Sequence, residues 1–411
     1  MTEVREAAFK VLARLEKAGH QAYLVGGCVR DRLLGMEPAD YDIATDARPE
    51  RVQALFPKTV ATGLKHGTVT VLMDGQSVEV TTFRRETGYR DHRRPDRVRF
   101  VTELRQDLSR RDFTVNAMAE DRRGRLHDPF NGAADLKQGV IRTVGRAEDR
   151  FAEDALRMIR ALRFSAQLGF RLEKKTRTAL ERQKPLLRHL AVERVTGELE
   201  KVWKAEEPSR ALRPLWEMEL FPHLPPFAAW GVPVPAPRIP FIRVDTAKTR
   251  RARWSLFLHL CGVKGEEAER RLSSFRLSAN EVRAISTIHR LAVNWDLSPQ
   301  DVVTGKKRLL RHGFEPLEAA LTAAARIRGW ESAEEAVLRS ALHRWHREMP
   351  VHRLEELRLN GQELIRALHQ PPGPWVGSVL QSLLEKAALG EVPNEREALI
   401  REGRRLVEPN T

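Results

Sequence analysis

The sequence predicts an α+β protein, with a mixed sheet and helices over the first 145 residues and an all-helical remainder. Three observations carry this. Helix and strand signals alternate up to residue 145, Asp74-Gly75 separates two strand-like runs, and helical periodicity dominates from residue 146 with no further strand pair. In chain order, Val4, Ala8, Val11, Leu12, Leu15 and Ala18 share one helical face, and Gly19 stops that helix. Residues 22–25 form a short strand that runs into Gly26-Gly27. Residues 28–34 are helical and end at Gly35, and residues 41–45 are a second strand. Thr45 or Asp46 is placed to cap a helix around residues 49–56. Residues 68–73 and 76–83 flank Asp74-Gly75 as a hairpin, because both turn positions need positive φ and this dipeptide supplies it cheaply. Residues 222–240 hold seven prolines and read as a linker or turn-rich joint. Residues 250–411 read as helices, with breaks near Ser298-Pro299 and at 370–374.

At 411 residues the chain has room for two to four domains with sizeable cores. With 41% hydrophobic and 31% charged residues it is neither disordered nor fibrous. The most apolar stretch, 254–263, is interrupted by His259 and reads as a core helix, so no membrane association is expected. The first residues lack the apolar segment of a secretory signal, and two cysteines, Cys28 and Cys261, provide no disulfide framework. Both features point to a cytoplasmic protein.

The net charge is +15, with 71 basic against 56 acidic side chains. Residues 1–145 hold 25 basic and 21 acidic, a net of +4, and the rest holds 46 and 35, a net of +11. A surplus of this size favours a polyanionic partner along the C-terminal two-thirds, and a solvated basic surface is the plain alternative.

Four constellations carry chemistry. Gly26-Gly27 followed by Arg30 sits between a strand and a helix start, where backbone N–H groups can approach an oxyanion and an arginine can add a phosphate contact. Asp40 and Asp42, at i and i+2, share one face if both lie on a strand, and their mutual repulsion is relieved by a divalent cation. Mg²⁺, which takes carboxylate and phosphate oxygens, is the cofactor expected. Glu79 adds a third carboxylate if the hairpin packs beside that strand, and otherwise faces solvent. Residues 84–111 carry ten arginines, among them Arg84, Arg85, Arg110 and Arg111, against five acidic residues. They read as a mobile basic loop over a polyphosphate or an RNA end. Asp112 there could accept from a ribose hydroxyl. Finally, Asp154, Arg157, Arg160 and Arg163 form a polar ridge if residues 153–164 are one helix. Leu156 and Phe164 lie in that ridge, so this face is expected to be partly covered. Buried Asp and Arg could then read the hydrogen-bonding edge of a base.

These segments resemble the class II tRNA nucleotidyltransferases of the polymerase-β-like superfamily, the CCA-adding enzymes. Gly26-Gly27-x-Val29-Arg30-Asp31 with Asp40-x-Asp42 looks like their first motif, and Arg110-Arg111-Asp112 like the second. The stretch from Asp128 to Leu136, continuing through Ile141-Arg142, is similar to the third. Glu153-Asp154-x-x-Arg157 looks like the fourth, and Glu193-Arg194 with Glu198-Leu199 like the fifth. All five fall in family order across residues 24–200. The resemblance implies a nucleotidyltransferase head over 1–145, a nucleotide-selecting neck over 146–221, a body over 222–300 and a tRNA-binding tail over 301–411. It implies addition and repair of the 3′-terminal CCA of tRNA from CTP and ATP, without a nucleic-acid template and by two-metal phosphoryl transfer. Asp40 and Asp42 would hold Mg²⁺, Gly27 and Arg30 would meet the triphosphate, and Arg111 would touch the incoming nucleotide. Asp154 and Arg157 would select CTP or ATP, supported by Arg160 and Arg163. The arm would bind the acceptor and TψC region of tRNA, and a homodimer is a family expectation.

Neighbouring readings differ in detail. Residues 62–68 read Thr-Gly-Leu-Lys-His-Gly-Thr, unlike the Gly-Arg-Arg-Phe type of bacterial poly(A) polymerase. CC-adding enzymes lack much of the loop that 84–111 provides, whereas A-adding enzymes keep it. The sole His-Asp pair, His127-Asp128, lies within the third motif, so no phosphohydrolase domain is expected. A non-catalytic RNA-binding protein would account for the charge but not for the intact Asp pair.

Overall fold

In a computed structural model, the structure describes residues 3–89, 95–231 and 233–407. The chain divides into two compact units at Pro233–Val234, inside the proline-rich segment.

The first unit opens with α1 (Glu3–Lys17), which buries Ala7, Ala8, Val11, Leu12 and Leu15. A seven-stranded sheet follows, in the order β3-β4-β5-β2-β1-β8-β9. Its strands are β1 (Ala22–Val25), β2 (Asp42–Thr45), β3 (Thr59–Gly63), β4 (Thr68–Met73), β5 (Gln76–Thr82), β8 (Ala119–Glu120) and β9 (Leu126–His127). The sheet is mixed: β2 runs antiparallel to β1 and parallel to β5. The β4–β5 hairpin turns on Asp74 and Gly75 at φ 51° and 79°, as that dipeptide requires. Helices α2 (Gly27–Leu33) and α3 (Pro49–Leu55) connect the early strands. No side chain caps α3; Thr45 Oγ1 instead accepts from Ala47 N, and Asp46 accepts from Gln21 N. Both residues therefore pin the turn before the helix and do not serve as its cap. Val11, Leu12, Leu24, Ile43, Val69, Val71, Val78 and Val80 fill the core between α1 and the sheet.

The arginine-rich segment is more ordered than a mobile loop. β6 (Arg84–Tyr89) and β7 (Pro95–Phe100) form an antiparallel ribbon, and α4 (Leu104–Ser109) follows. In β7 Arg97 and Arg99 alternate with Val98 and Phe100, but two apolar positions among so many charges are too few to mark a strand pair in the sequence. Arg90, His92, Arg93 and Arg94 lie outside the described residues. Beyond α5 (Gly132–Gln138), β10 (Val140–Ile141) pairs in parallel with β11 (Arg171–Leu172), a two-residue contact too short to leave a pattern.

The ridge at 153–164 is two helices, α6 (Ala147–Glu153) and α7 (Leu156–Leu168), broken at Asp154. α8 (Lys174–Gln183), α9 (Val192–Val202) and α10 (Ser209–Glu217) complete this bundle.

The second unit is helical throughout its described residues. Its first long helix, Arg250–Leu260, buries Trp254, Leu256, Phe257, Leu258 and Leu260, which accounts for the most apolar stretch of the chain. No described helix is long and apolar enough to cross a membrane. Cys28 and Cys261 are both free and buried.

Candidate active site

Strand register builds the site. Val25, the last residue before Gly26-Gly27, is the partner of Asp42 across β1–β2, and Glu79 is the partner of Asp42 across β2–β5. The glycine turn at the end of β1, Asp42 at the start of β2 and Glu79 midway along β5 thereby lie in one row across three adjacent strands, with Asp40 just before β2. Asp40 lies before β2 and not on it, which corrects the strand placement. Alternation still holds, because Tyr41 is buried while Asp40 is exposed and Asp42 half-buried. The two carboxylates interact: burial, then Asp40, then Glu79 push the Asp42 carboxyl up to about 6, against the pull of Arg111. Glu79 is exposed on that same side, so the hairpin does bring it beside the pair.

Arg111 closes the site opposite the carboxylates. Its guanidinium is held by two long contacts, to Asn116 O and Asp107 Oδ2, both 3.5 Å, and its buried Nε has no hydrogen-bond partner. An under-used cation beside a glycine turn has donors to spare for an anion. Gly26 makes room for it: φ is 77°, and a Cβ there would stand 2.9 Å from Arg111 Nη1. Gly26→Ala is expected to cost about 1–3 kcal/mol through backbone strain. It should also raise the KM for the triphosphate that the resemblance places at this turn roughly fivefold or more by displacing Arg111. Melting curves and steady-state kinetics check both, and an unchanged KM would mean that the glycine serves only the turn.

Arg30 is buried beneath the turn, its Nη2 3.8 Å from where a Gly27 Cβ would stand. Its Nε donates to Asp31 (2.8 Å) and its Nη1 to Asn116 Oδ1 (2.7 Å). Asp112 is likewise committed inside the protein. It accepts from Phe113 N (2.8 Å), Asn116 Nδ2 (3.3 Å) and Arg160 Nε (2.8 Å). Burial pushes its carboxyl up, but Arg160, Asn116 and Arg157 outweigh that and hold it at about 2. Arg110 pairs with Asp107 (2.9 Å), and Arg84 pairs with Glu86 (2.7 Å). Arg85 is exposed opposite Arg99.

At α6–α7, Leu156, Arg157, Arg163 and Phe164 are buried while Asp154 and Arg160 are half-buried, so the polar ridge is covered in part. Asp154 and Arg157 do not pair with each other. Asp154 sits in the helix break and accepts from Leu156 N (3.0 Å) and from the fork of Arg194 on α9 (3.1 and 2.8 Å). Arg157 donates to Glu153 (2.6 Å), Arg150 O and Arg110 O (both 3.1 Å). Arg163 lies 2.6 Å from Glu198. Asn116, which accepts from Arg30 and Arg111, and Asp107, which pairs with Arg110 and Arg111, were not legible as site residues. The available signal for Asn116 was a lone amide inside an apolar run, which burial obliges to find partners.

Among the described residues no three His, Cys, Asp or Glu side chains are grouped closely enough to hold a metal by themselves. The all-oxygen donors Asp40 and Asp42 fit a hard divalent cation that completes its shell with phosphate oxygens and water, as Mg²⁺ does.

Comparison with known proteins bears on this geometry. Residues 22–142 match a family profile described as the poly A polymerase head domain, residues 169–230 a probable RNA- and SrmB-binding site of polymerase A, and residues 246–402 a putative tRNA nucleotidyltransferase domain 2. The CCA-adding enzyme of Bacillus licheniformis is 39% identical over 394 residues, 95% of this chain and 96% of the relative. That of Lactiplantibacillus plantarum is 38% identical over 408 residues, 96% of this chain and 95% of the relative. The crystal structure of the Bacillus stearothermophilus CCA-adding enzyme in complex with CTP superposes with a TM-score of 0.83 at 35% identity, covering 99% of this chain and 98% of that one.

Proposed function

The chain belongs to the family of CCA-adding tRNA nucleotidyltransferases, and from that membership we propose that it adds C, C and A to the 3′ end of tRNA from CTP and ATP without a nucleic-acid template. The observation that carries the reading is the Asp40–Asp42 pair beside the Gly26-Gly27 turn, with the under-used Arg111 facing it.

The tRNA 3′-hydroxyl attacks the α-phosphate in line, and pyrophosphate leaves. The Gly26-Gly27 turn, backed by the buried charge of Arg30, receives the triphosphate. Arg111 offers its unused donors to the same anion. Asp40 and Asp42 would hold Mg²⁺, with Glu79 adding negative charge from the neighbouring strand. Magnesium there supplies neutralisation of the phosphates and easier ionisation of the attacking hydroxyl. Asp154 and Arg157 read the base, Arg194 orients Asp154, and Arg160, Arg163 and Asp112 brace the pocket. In this division of labour 1–145 catalyses, 146–221 selects, and 222–300 with 301–411 binds the acceptor and TψC region of tRNA by shape and phosphate contacts. Repair of damaged ends is the same reaction on a shortened substrate. Two free buried cysteines support a cytoplasmic setting.

The experiment that tests the reading supplies CTP and ATP separately to tRNAs ending before CCA, after C and after CC. Two C additions followed by a single A are expected. A alone, C alone or long A tails would assign the chain to the A-adding, CC-adding or poly(A) activity.

The raised Asp42 carboxyl gives a pH signature. A cation needs the ionised form, so incorporation is expected to fall as pH drops through about 6, with a midpoint that moves lower as Mg²⁺ is raised. Single-turnover rates between pH 5 and 8 at two Mg²⁺ concentrations check this, and a midpoint indifferent to Mg²⁺ counts against Asp42 as a ligand. The stability sign is opposite. A carboxyl raised in the folded state contributes stability below its ordinary range that is lost as pH rises through about 6. Asp42→Asn should therefore stabilise the metal-free protein at pH 7, by on the order of 2 kcal/mol, and not at pH 4.

A further inference from the structure

Three guanidinium groups gather around the buried ring of Phe164 in α7. Arg163 lies 3.7 Å from its centroid, Arg30 5.3 Å and Arg160 5.4 Å. Like charges this close repel, and burial denies them the screening of water. Three carboxylates answer them: Asp31 pairs with Arg30 (2.7 Å), Asp112 with Arg160 (2.6 Å), and Glu198 with Arg163 (2.6 Å) and more distantly with Arg160 (3.9 Å). Arg163 Nη1 donates to Gln167 Oε1 (2.6 Å), while its Nε, though close to Glu198, lacks hydrogen-bond alignment, and its guanidinium lies over the ring face.

Two of these pairs are joined by Asn116. Arg30 Nη1 donates to Asn116 Oδ1 (2.7 Å), Asn116 Nδ2 donates to Asp112 Oδ1 (3.3 Å), and Arg160 Nε donates to Asp112 Oδ2 (2.8 Å). With both arginines also over Phe164, the circuit is closed. It runs from the helix after the Gly26-Gly27 turn, through the segment after Arg111, to α7, and returns through one aromatic ring. Phe113 abuts the ring edge-on at 5.7 Å, which fixes its plane.

We propose that Phe164 is a positioning residue that holds the base-reading helix α7 in register with the triphosphate cradle at Gly26-Gly27, so that one rigid unit gauges the nucleotide from its phosphates to its base. The inference rests on the nucleotide-site reading given above. The physical cause is specific to an aromatic ring: its face attracts guanidinium groups, whereas an aliphatic side chain of similar bulk fills the space and attracts none. Without that attraction Arg30, Arg160 and Arg163 separate under their own repulsion, and the two ends of the pocket drift relative to each other.

The test compares full-length wild type, F164L and F164Y in thermal melting and in nucleotide addition. CTP against UTP is measured on tRNA lacking CCA, and ATP against GTP on tRNA ending in CC. F164L is expected to lower kcat for the correct nucleotide, and to narrow the correct-to-wrong ratio, each about tenfold. Its KM for tRNA should stay within about twofold, and F164Y, which keeps the ring face, should restore the ratio to within about twofold of wild type. Should F164L not fold, F164M fills the same space with a flexible apolar chain and carries the same expectation. An unchanged ratio in the aliphatic variant overturns the proposal. So does a fall in kcat that follows the melting temperature and is not rescued by tyrosine, since that is packing alone. A wild-type chain that incorporates neither CTP nor ATP overturns the functional reading, and this inference with it.

Discussion

Replacing Asp40 by Ala is expected to lower CTP and ATP incorporation by at least about 10³-fold while tRNA affinity changes by less than about twofold. Asp40 is exposed and lies outside the strand, so truncating it removes no packing. What it removes is half of an oxygen donor pair whose other member is already raised to about 6 by burial and its anionic neighbours. One carboxylate cannot hold a hard cation against water in the presence of Arg111, and the triphosphate then lacks its counter-charge. Filter binding of tRNA, Mg²⁺-dependent incorporation and melting temperature should be measured on the same preparation. Activity within tenfold of wild type would discard Asp40 as a ligand, and lost tRNA binding would mean that the substitution acts elsewhere.

The second large effect is expected at Asp154 and Arg157, the pair proposed to read the base. The double change Asp154→Asn with Arg157→Lys should narrow discrimination of CTP from UTP, and of ATP from GTP, by about 10²-fold, with tRNA affinity nearly unchanged. These conservative replacements are chosen because of the surroundings. Asp154→Ala would strand the Arg194 fork, and Arg157→Ala would empty a buried position and leave Glu153 with Arg150 alone, so truncation would confuse selection with folding. Asn reverses part of the donor–acceptor pattern at nearly the same size, and Lys keeps the charge without the planar fork. Equal fidelity before and after would remove the template role. A single change of Arg194 should weaken fidelity less than the pair, because it orients Asp154 and is not itself assigned to the base.

Much of the head was legible because its signals are local. The Asp74-Gly75 hairpin, the spacing of the two aspartates and the positive-φ glycine beside them are each settled within a few residues. The arginine-rich ribbon was not legible, since only Val98 and Phe100 mark an apolar face in β7 and the charged start of β6 adds none to it. The break at Asp154 was hidden for a related reason. A helix of the same periodicity runs on either side of it, and the interruption is stabilised by Arg194, forty positions away. The caps of α3 were misplaced because Thr45 and Asp46 found partners in the turn, a competition that composition cannot decide.

From the sequence alone came the α+β division, the helical arm, the basic surplus, and the order along the chain of the charged groups proposed for the site. Periodicity, turn chemistry and spacing are properties of short stretches of chain, so these features needed nothing else. Only the tertiary structure decided which carboxylate answers which arginine across the chain: Asp154 to Arg194, Asp112 to Arg160, Glu198 to Arg163. It also brought Glu79 beside Asp42 through the β2–β5 register and set Phe164 among three cations. The reason is that buried charges take whichever opposite charge the packing of distant elements delivers, and the energy of an ion pair depends on that distance in space and not on separation along the chain.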